Sequence, residues 1–180
     1  MRAAAHRRAA GATAGHDGPV ASPGELAARI VTVLTERKQT LATAESLTGG
    51  LLGAAITAIP GASNVYRGGV IAYATELKAV LLGVPADLLA RHGPVHPDVA
   101  AAMAAGVRDR LGATWGLATT GVAGPDPADG HPPGTVHVSA CAGGAVTRSL
   151  ELPGGRDEVR QETVGEVLGL LWSVLREEGP

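Results

Sequence analysis

The sequence predicts a three-layer α/β/α single domain with a mixed, mostly parallel sheet and a C-terminal hairpin. Three observations carry that reading. Short β-branched stretches alternate with apolar helical stretches, as in strand–helix–strand units. Two strand-like runs late in the chain are separated only by a turn around Gly143-Gly144, which marks a hairpin. The 180 residues, 45% of them apolar, are enough for one hydrophobic core and hold neither an internal repeat nor an interior linker.

The elements follow in order. Residues 1–20 carry Arg2, Arg7 and Arg8 and no acid before Asp17, without an apolar run, and read as a disordered tail or an over-long start; residues 21–180 form the domain. Ser22-Pro23-Gly24-Glu25 is a capping box with proline at the first helical position. Leu26, Ile30, Val33 and Leu34 then keep helical spacing. A strand is expected over 40–44, a turn over 45–50, and an Ala-rich helix over 51–59 that stops at Pro60-Gly61. Beyond it come a strand over 69–74, helices over 76–82 and 85–91, and a long helix from Pro97 to about Leu111. A buried strand over 114–120 leads into a fourteen-residue Gly/Pro/Asp loop, 121–134, long enough to suggest function. Strands over 135–141 and 146–152 make the hairpin, and a helix over 156–176 closes the domain.

Composition excludes several functions. Fifteen basic against seventeen acidic residues give a net charge of -2, and two Trp, two Tyr and no Phe leave few rings for base stacking, so a nucleic-acid partner is not expected. No apolar run approaches the ~18 residues of a membrane-crossing helix, so no membrane partner is expected either. The single cysteine, Cys141, cannot form an internal disulfide, which fits a reducing, cytoplasmic setting.

Chemistry concentrates at two strand-to-helix corners. Ser46 lies between a strand end and a helix start, with Thr48, Gly49 and Gly50 after it; the free N–H groups of such a helix mouth suit a phosphate or an oxyanion. The blander reading is that Ser46 and Thr48 only cap the helix. A serine needs a base, and the G-x-S-x-G pattern of a Ser-His-Asp site is missing. The chain holds just two lysines, Lys38 and Lys78. Lys78 follows Tyr73 across the second corner, which opens on the same sheet edge if the strands are parallel. An uncharged Lys78 would serve as the base; otherwise it is a solvated helix lysine.

Thr120 and Gly121 lead into the glycine loop, and Arg156 and Arg160 open the last helix, where they would hold a phosphate or merely pair with neighbouring acids. The histidines have no metal spacing. His92 and His96 flank Gly93-Pro94-Val95, which cannot keep a helical turn, and His96 suits a helix start instead. Asp126 and Asp129 do not follow an EF-hand pattern. Neither a metal nor a cofactor is expected.

Together, residues 43–50 (Thr-Ala-Glu-Ser-Leu-Thr-Gly-Gly), Tyr73 with Lys78, residues 120–125 (Thr-Gly-Val-Ala-Gly-Pro), Pro133-Gly134-Thr135-Val136 and Gly155-Arg156-Asp157 resemble, in order and spacing, the CinA C-terminal domain family. The resemblance runs from about Glu25 to Leu171. It is similar to the stand-alone members, nicotinamide mononucleotide deamidases of the PncC type, rather than to longer proteins with an added N-terminal domain. What this implies is a metal-independent serine amidohydrolase of pyridine-nucleotide salvage, releasing ammonia and nicotinate mononucleotide. Its nucleophile would be Ser46, its base Lys78 and its supporting hydroxyl Tyr73, with Thr120 and Arg156 lining the site. Thr48, Gly49, Gly50, Gly121 and either Arg156 or Arg160 are expected to contact the small-molecule nucleotide, and a homodimer is expected. The chain departs from the family pattern at Thr75, often Asn, at His96, often Ser, and at His131-Pro132-Pro133, where Lys-Pro-Val is usual. The rival expectation is a non-catalytic nucleotide-binding or competence-associated interaction module built on the same helix-end donors.

Overall fold

The computed structural model describes residues 21–177, so the reading of 1–20 as a tail lies outside the described residues. Helix α1 (Pro23–Glu36) starts as its sequence dictates: the Ser22 side chain accepts from Glu25 N–H while the Glu25 carboxylate accepts from Ser22 N–H. Strand β1 (Leu41–Glu45) is buried along its whole length, because helices cover both faces of the sheet there. Helix α2 (Leu51–Thr57) and a 3-10 turn (Ala62–Asn64) lead to β2 (Tyr66–Ile71). After α3 (Thr75–Leu82), α4 (Ala86–His92) and α5 (Pro97–Leu111) come β3 (Trp115–Gly121), β4 (Thr135–Cys141), β5 (Ala145–Glu151) and α6 (Arg156–Glu177).

The strand order is β2-β1-β3-β4-β5. β1 pairs in parallel with β2 and β3, whereas β3–β4 and β4–β5 are antiparallel. The sheet is therefore mixed, with β4 alone running against the other strands. Alternate strand residues feed two cores. Leu41, Leu117, Val136 and Val138 face α1, α2 and α6, where Ile30, Leu34, Leu52 and Leu168 meet them. Ala42, Ala44 and Ala118 face the other way, and these small side chains let α5 lie close through Val99, Met103 and Val107. The aliphatic composition thus fills both layers with almost no aromatic rings.

One element is displaced from its expected position. Strand β2 covers 66–71 rather than 69–74, so Tyr73 stands beyond the strand and not at its end. The cause is an edge contact: a Cβ at Gly69 would collide with the Thr43 hydroxyl and lie 2.7 Å from the Tyr66 hydroxyl. Glycine lets Tyr66 reach across to Thr43, with 2.7 Å between their oxygens, and locks β2 onto β1 through this early segment. Helix α2 ends at Thr57 instead of 59, since the residue before Pro60 is disfavoured in helical geometry.

Candidate active site

Parallel pairing brings the C-terminal ends of β1, β2 and β3 to one edge, where ligands bind in open α/β sheets. Ser46 is the first residue past β1, and its N–H donates to Thr119 O at 3.1 Å, so the serine is held against the end of β3. Lys78 lies in the first turns of α3 with its side chain directed inward; it is 1% exposed, and Ser46 is 8% exposed. The Lys78 Nζ is 3.0 Å from Ser46 Oγ and 2.8 Å from Ala72 O.

The amine donates to the Ala72 carbonyl and lies within donating distance of the Ser46 hydroxyl; once uncharged, it can keep the first bond and turn its lone pair to the serine proton. Burial favours that state, pulling the Lys78 pKa down from 10.5 to about 8, against the opposing fields of Asp129 and Glu76.

A cavity of about 340 Å³ opens from this pair. Tyr73 and Thr75 from the second corner, Pro94 and Val95 from the α4–α5 connection, and Arg156 line it, together with the loop from Thr120 to Asp129. Thr120 donates its hydroxyl to Pro94 O at 2.8 Å and so ties the α4–α5 connection to the cavity wall. Arg156 donates to Gly124 O at 2.8 Å and to the Tyr73 hydroxyl at 3.1 Å, and this sets a guanidinium and a phenol at the rim. Tyr73 is 60% exposed, and its hydroxyl accepts from Arg156.

The structure brings together Ser46, Lys78, Tyr73, Thr120, Gly121 and Arg156, and keeps the other expected contacts away from the cavity. Thr48 is wholly buried, with its hydroxyl 2.8 Å from that of Thr119. The α2 mouth is not an open anion site. The Glu45 carboxylate already accepts from Gly50 N–H at 2.9 Å, Leu52 N–H at 3.0 Å and Gly53 N–H at 2.9 Å. Gly49 N–H is also used, on Ser46 O at 3.1 Å. The expectation that Gly49 and Gly50 offer donors to a ligand is therefore corrected: a buried internal carboxylate has taken the helix end.

Arg160 is corrected likewise. It donates to Leu47 O at 3.0 Å and Thr48 O at 3.2 Å, bracing the back of the serine turn, so that Arg156 is the arginine at the cavity. Sequence reasoning missed the role of Glu45, although an acid between a strand and Gly49-Gly50 has the character of a helix-end cap. The place of Pro94 had no signal in the sequence.

His92, His96 and His137 play structural parts. His96 starts α5 by accepting from Asp98 N–H at 3.2 Å, and its ring stacks on His92 with 4.2 Å between centroids. His137 is buried on β4, 2.9 Å from the Ser149 hydroxyl, and burial with the neighbouring His96 and His131 pushes its pKa down to about 4. Among the described residues no group of three or more His, Cys, Asp or Glu side chains is arranged to hold a metal. Nor is any described helix long and apolar enough to cross a membrane.

The model of the CinA C-terminal domain matches residues 24–175. The chain belongs to the CinA C-terminal domain family. A CinA-like protein of Frankia casuarinae is 54% identical over 147 residues, which cover 81% of this chain and 34% of that protein. A CinA-like protein of Synechococcus sp. (strain RCC307) is 47% identical over 155 residues, 84% of this chain and 37% of that protein. The chain thus spans about a third of the length of these curated relatives. Among solved structures, the competence/damage inducible protein CihA from Agrobacterium tumefaciens superposes with a TM-score of 0.82 at 36% identity, covering 86% of this chain and 95% of that one. A CinA superfamily protein from Enterobacter cloacae gives 0.85 at 29% identity, covering 93% and 99%. The chain thus shares the α/β fold described above with these solved structures.

Proposed function

We propose that this CinA domain is a Ser/Lys amidohydrolase that cleaves the carboxamide of nicotinamide mononucleotide, giving nicotinate mononucleotide and ammonia. The observation that carries the reading is the 3.0 Å contact between a nearly buried Ser46 hydroxyl and a Lys78 amine whose burial favours the uncharged form. A serine acquires nucleophilicity from an adjacent base at such a distance.

The reaction would run as follows. Lys78 Nζ takes the Ser46 proton as Oγ bonds to the carboxamide carbon, and the carbonyl π pair moves onto oxygen. The Leu47 N–H, next after the nucleophile and without an acceptor among the described residues, is the backbone donor assigned to that oxyanion. Collapse breaks the C–N bond while the Lys78 ammonium returns its proton to the leaving nitrogen, releasing ammonia. Water, deprotonated by the same amine, then hydrolyses the Ser46 ester. Arg156 at the rim is the cation suited to the nucleotide phosphate, since its fork binds such oxygens in pairs. A cavity of about 340 Å³ lies within the range of small-ligand sites.

The test is ammonia release by the purified protein from nicotinamide mononucleotide, compared with Ser46→Ala and Lys78→Ala. Turnover that both substitutions abolish supports the reading. Nucleotide-induced thermal stabilisation without turnover overturns it and leaves a binding module.

A further inference from the structure

The turn that carries Ser46 is gripped from both sides by side chains that do not line the cavity. On one side the Glu45 carboxylate gathers the N–H groups of Gly50, Leu52 and Gly53. On the other the Arg160 guanidinium, from α6, gathers the carbonyls of Leu47 and Thr48. We propose that Glu45 and Arg160 are positioning residues that hold the Ser46 hydroxyl and the Leu47 N–H in register with Lys78. This rests on the amidohydrolase reading, whose nucleophile the clamp would serve.

The argument is one of backbone geometry. A trans peptide sets its C=O and N–H antiparallel, so fixing two successive carbonyls on one cation orients the planes 47–48 and 48–49. The Ser46 carbonyl accepts from Gly49 N–H, and the Leu47 N–H in the same plane must therefore point the opposite way, out of the turn. Five residues, 46–50, join a strand to a helix here, and Gly49 and Gly50 at φ of 58° and 102° contribute no side-chain restraint of their own. The restraint comes from the charged pair. Glu45 meets the positive end of α2, and Arg160 meets two carbonyl oxygens and, at 3.5 Å, Asp157. A misplacement of about 1 Å at a reacting group costs on the order of a hundredfold in rate, which is the leverage available to such a clamp.

The test combines ammonia release with the rate at which a fluorophosphonate labels Ser46, a measurement that requires the nucleophile but not the nucleotide. For Arg160→Ala, kcat and the labelling rate are expected to fall together by roughly ten- to a hundredfold with KM little changed, and millimolar guanidinium should restore part of both. Arg160→Lys, whose single ammonium can serve only one carbonyl well, is expected to fall between, and covers the case in which the alanine variant does not fold. Glu45→Gln, which faces one N–H with an amide NH2, should likewise lower kcat at nearly constant KM. Folded Arg160 variants that label and turn over at the wild-type rate, or a loss confined to KM, overturn the clamp. Wild-type labelling without ammonia release overturns the amidase reading and leaves the clamp to be judged on labelling; neither labelling nor release overturns both.

Discussion

Lys78 Nζ stands between two oxygens, 2.8 Å from the Ala72 carbonyl and 3.0 Å from the Ser46 hydroxyl, and the first contact orients the second. With the amine donating to Ala72, the Ser46 hydroxyl is the other polar group within its reach. The same buried position makes the group a poor home for charge, and pH dependence follows from that.

The rate of amide hydrolysis is expected to rise with pH and level off above about 8, the value to which burial brings Lys78. A profile of kcat/KM for ammonia release from pH 6 to 10 checks this. Lys78→Arg should be inactive across the range, because a guanidinium does not give up its proton there.

Asp129 lies on the cavity wall, and its carboxylate favours the charged amine. Asp129→Asn removes that field. The rising limb of the same profile should therefore move to lower pH, whereas a shift to higher pH would contradict the assignment.

Lys78 also links stability to pH. Its folded value, about 8, lies below the ordinary 10.5, so between these values the unfolded chain holds more protons and stability must rise with pH. The contribution is bounded by about 3 kcal/mol for this shift. Urea unfolding of the wild type at pH 8 and pH 10.5 should show this gain relative to Lys78→Met, which has no amine to titrate.

Arg156 predicts a separation between substrates. In the proposed role its loss would remove a charge-assisted contact worth about 1.5–3 kcal/mol, so Arg156→Ala should raise KM for the phosphorylated nucleotide roughly tenfold or more and affect the riboside little. Parallel kinetics on both amides measure it.

Packing behind the base offers a fifth test. A Cβ at Gly106 on α5 would strike the Leu82 carbonyl at the end of α3, the helix that carries Lys78. Gly106→Ala should destabilise by about 1–3 kcal/mol and slow turnover together, read by thermal melting and initial rates.

Much of this molecule was legible in advance where the signal is local. The capping box at Ser22, helix α5 over 97–111 and strand β4 over 135–141 match the sequence reading because caps, proline and alternation act within a few residues. Ser46 and Lys78 were legible as two corners of one sheet edge. What escaped depends on distant neighbours. The shift of β2 comes from Tyr66 reaching Thr43, and the withdrawal of Arg160 from the cavity comes from carbonyls more than a hundred residues away in sequence. The helix mouth misled for a subtler reason: its donors are real, but Glu45, next to the serine itself, had already occupied them.

Helices α2 and α3 pack in different cores, on opposite faces of the sheet. The amine therefore travels with the α3 layer, while the hydroxyl sits on a turn pinned to β3 at the root of α2, and the gap between them works as a caliper for how the layers are seated. Substitutions far from the cavity that slide one layer over the sheet would register as lost proton transfer before they registered as lost folding.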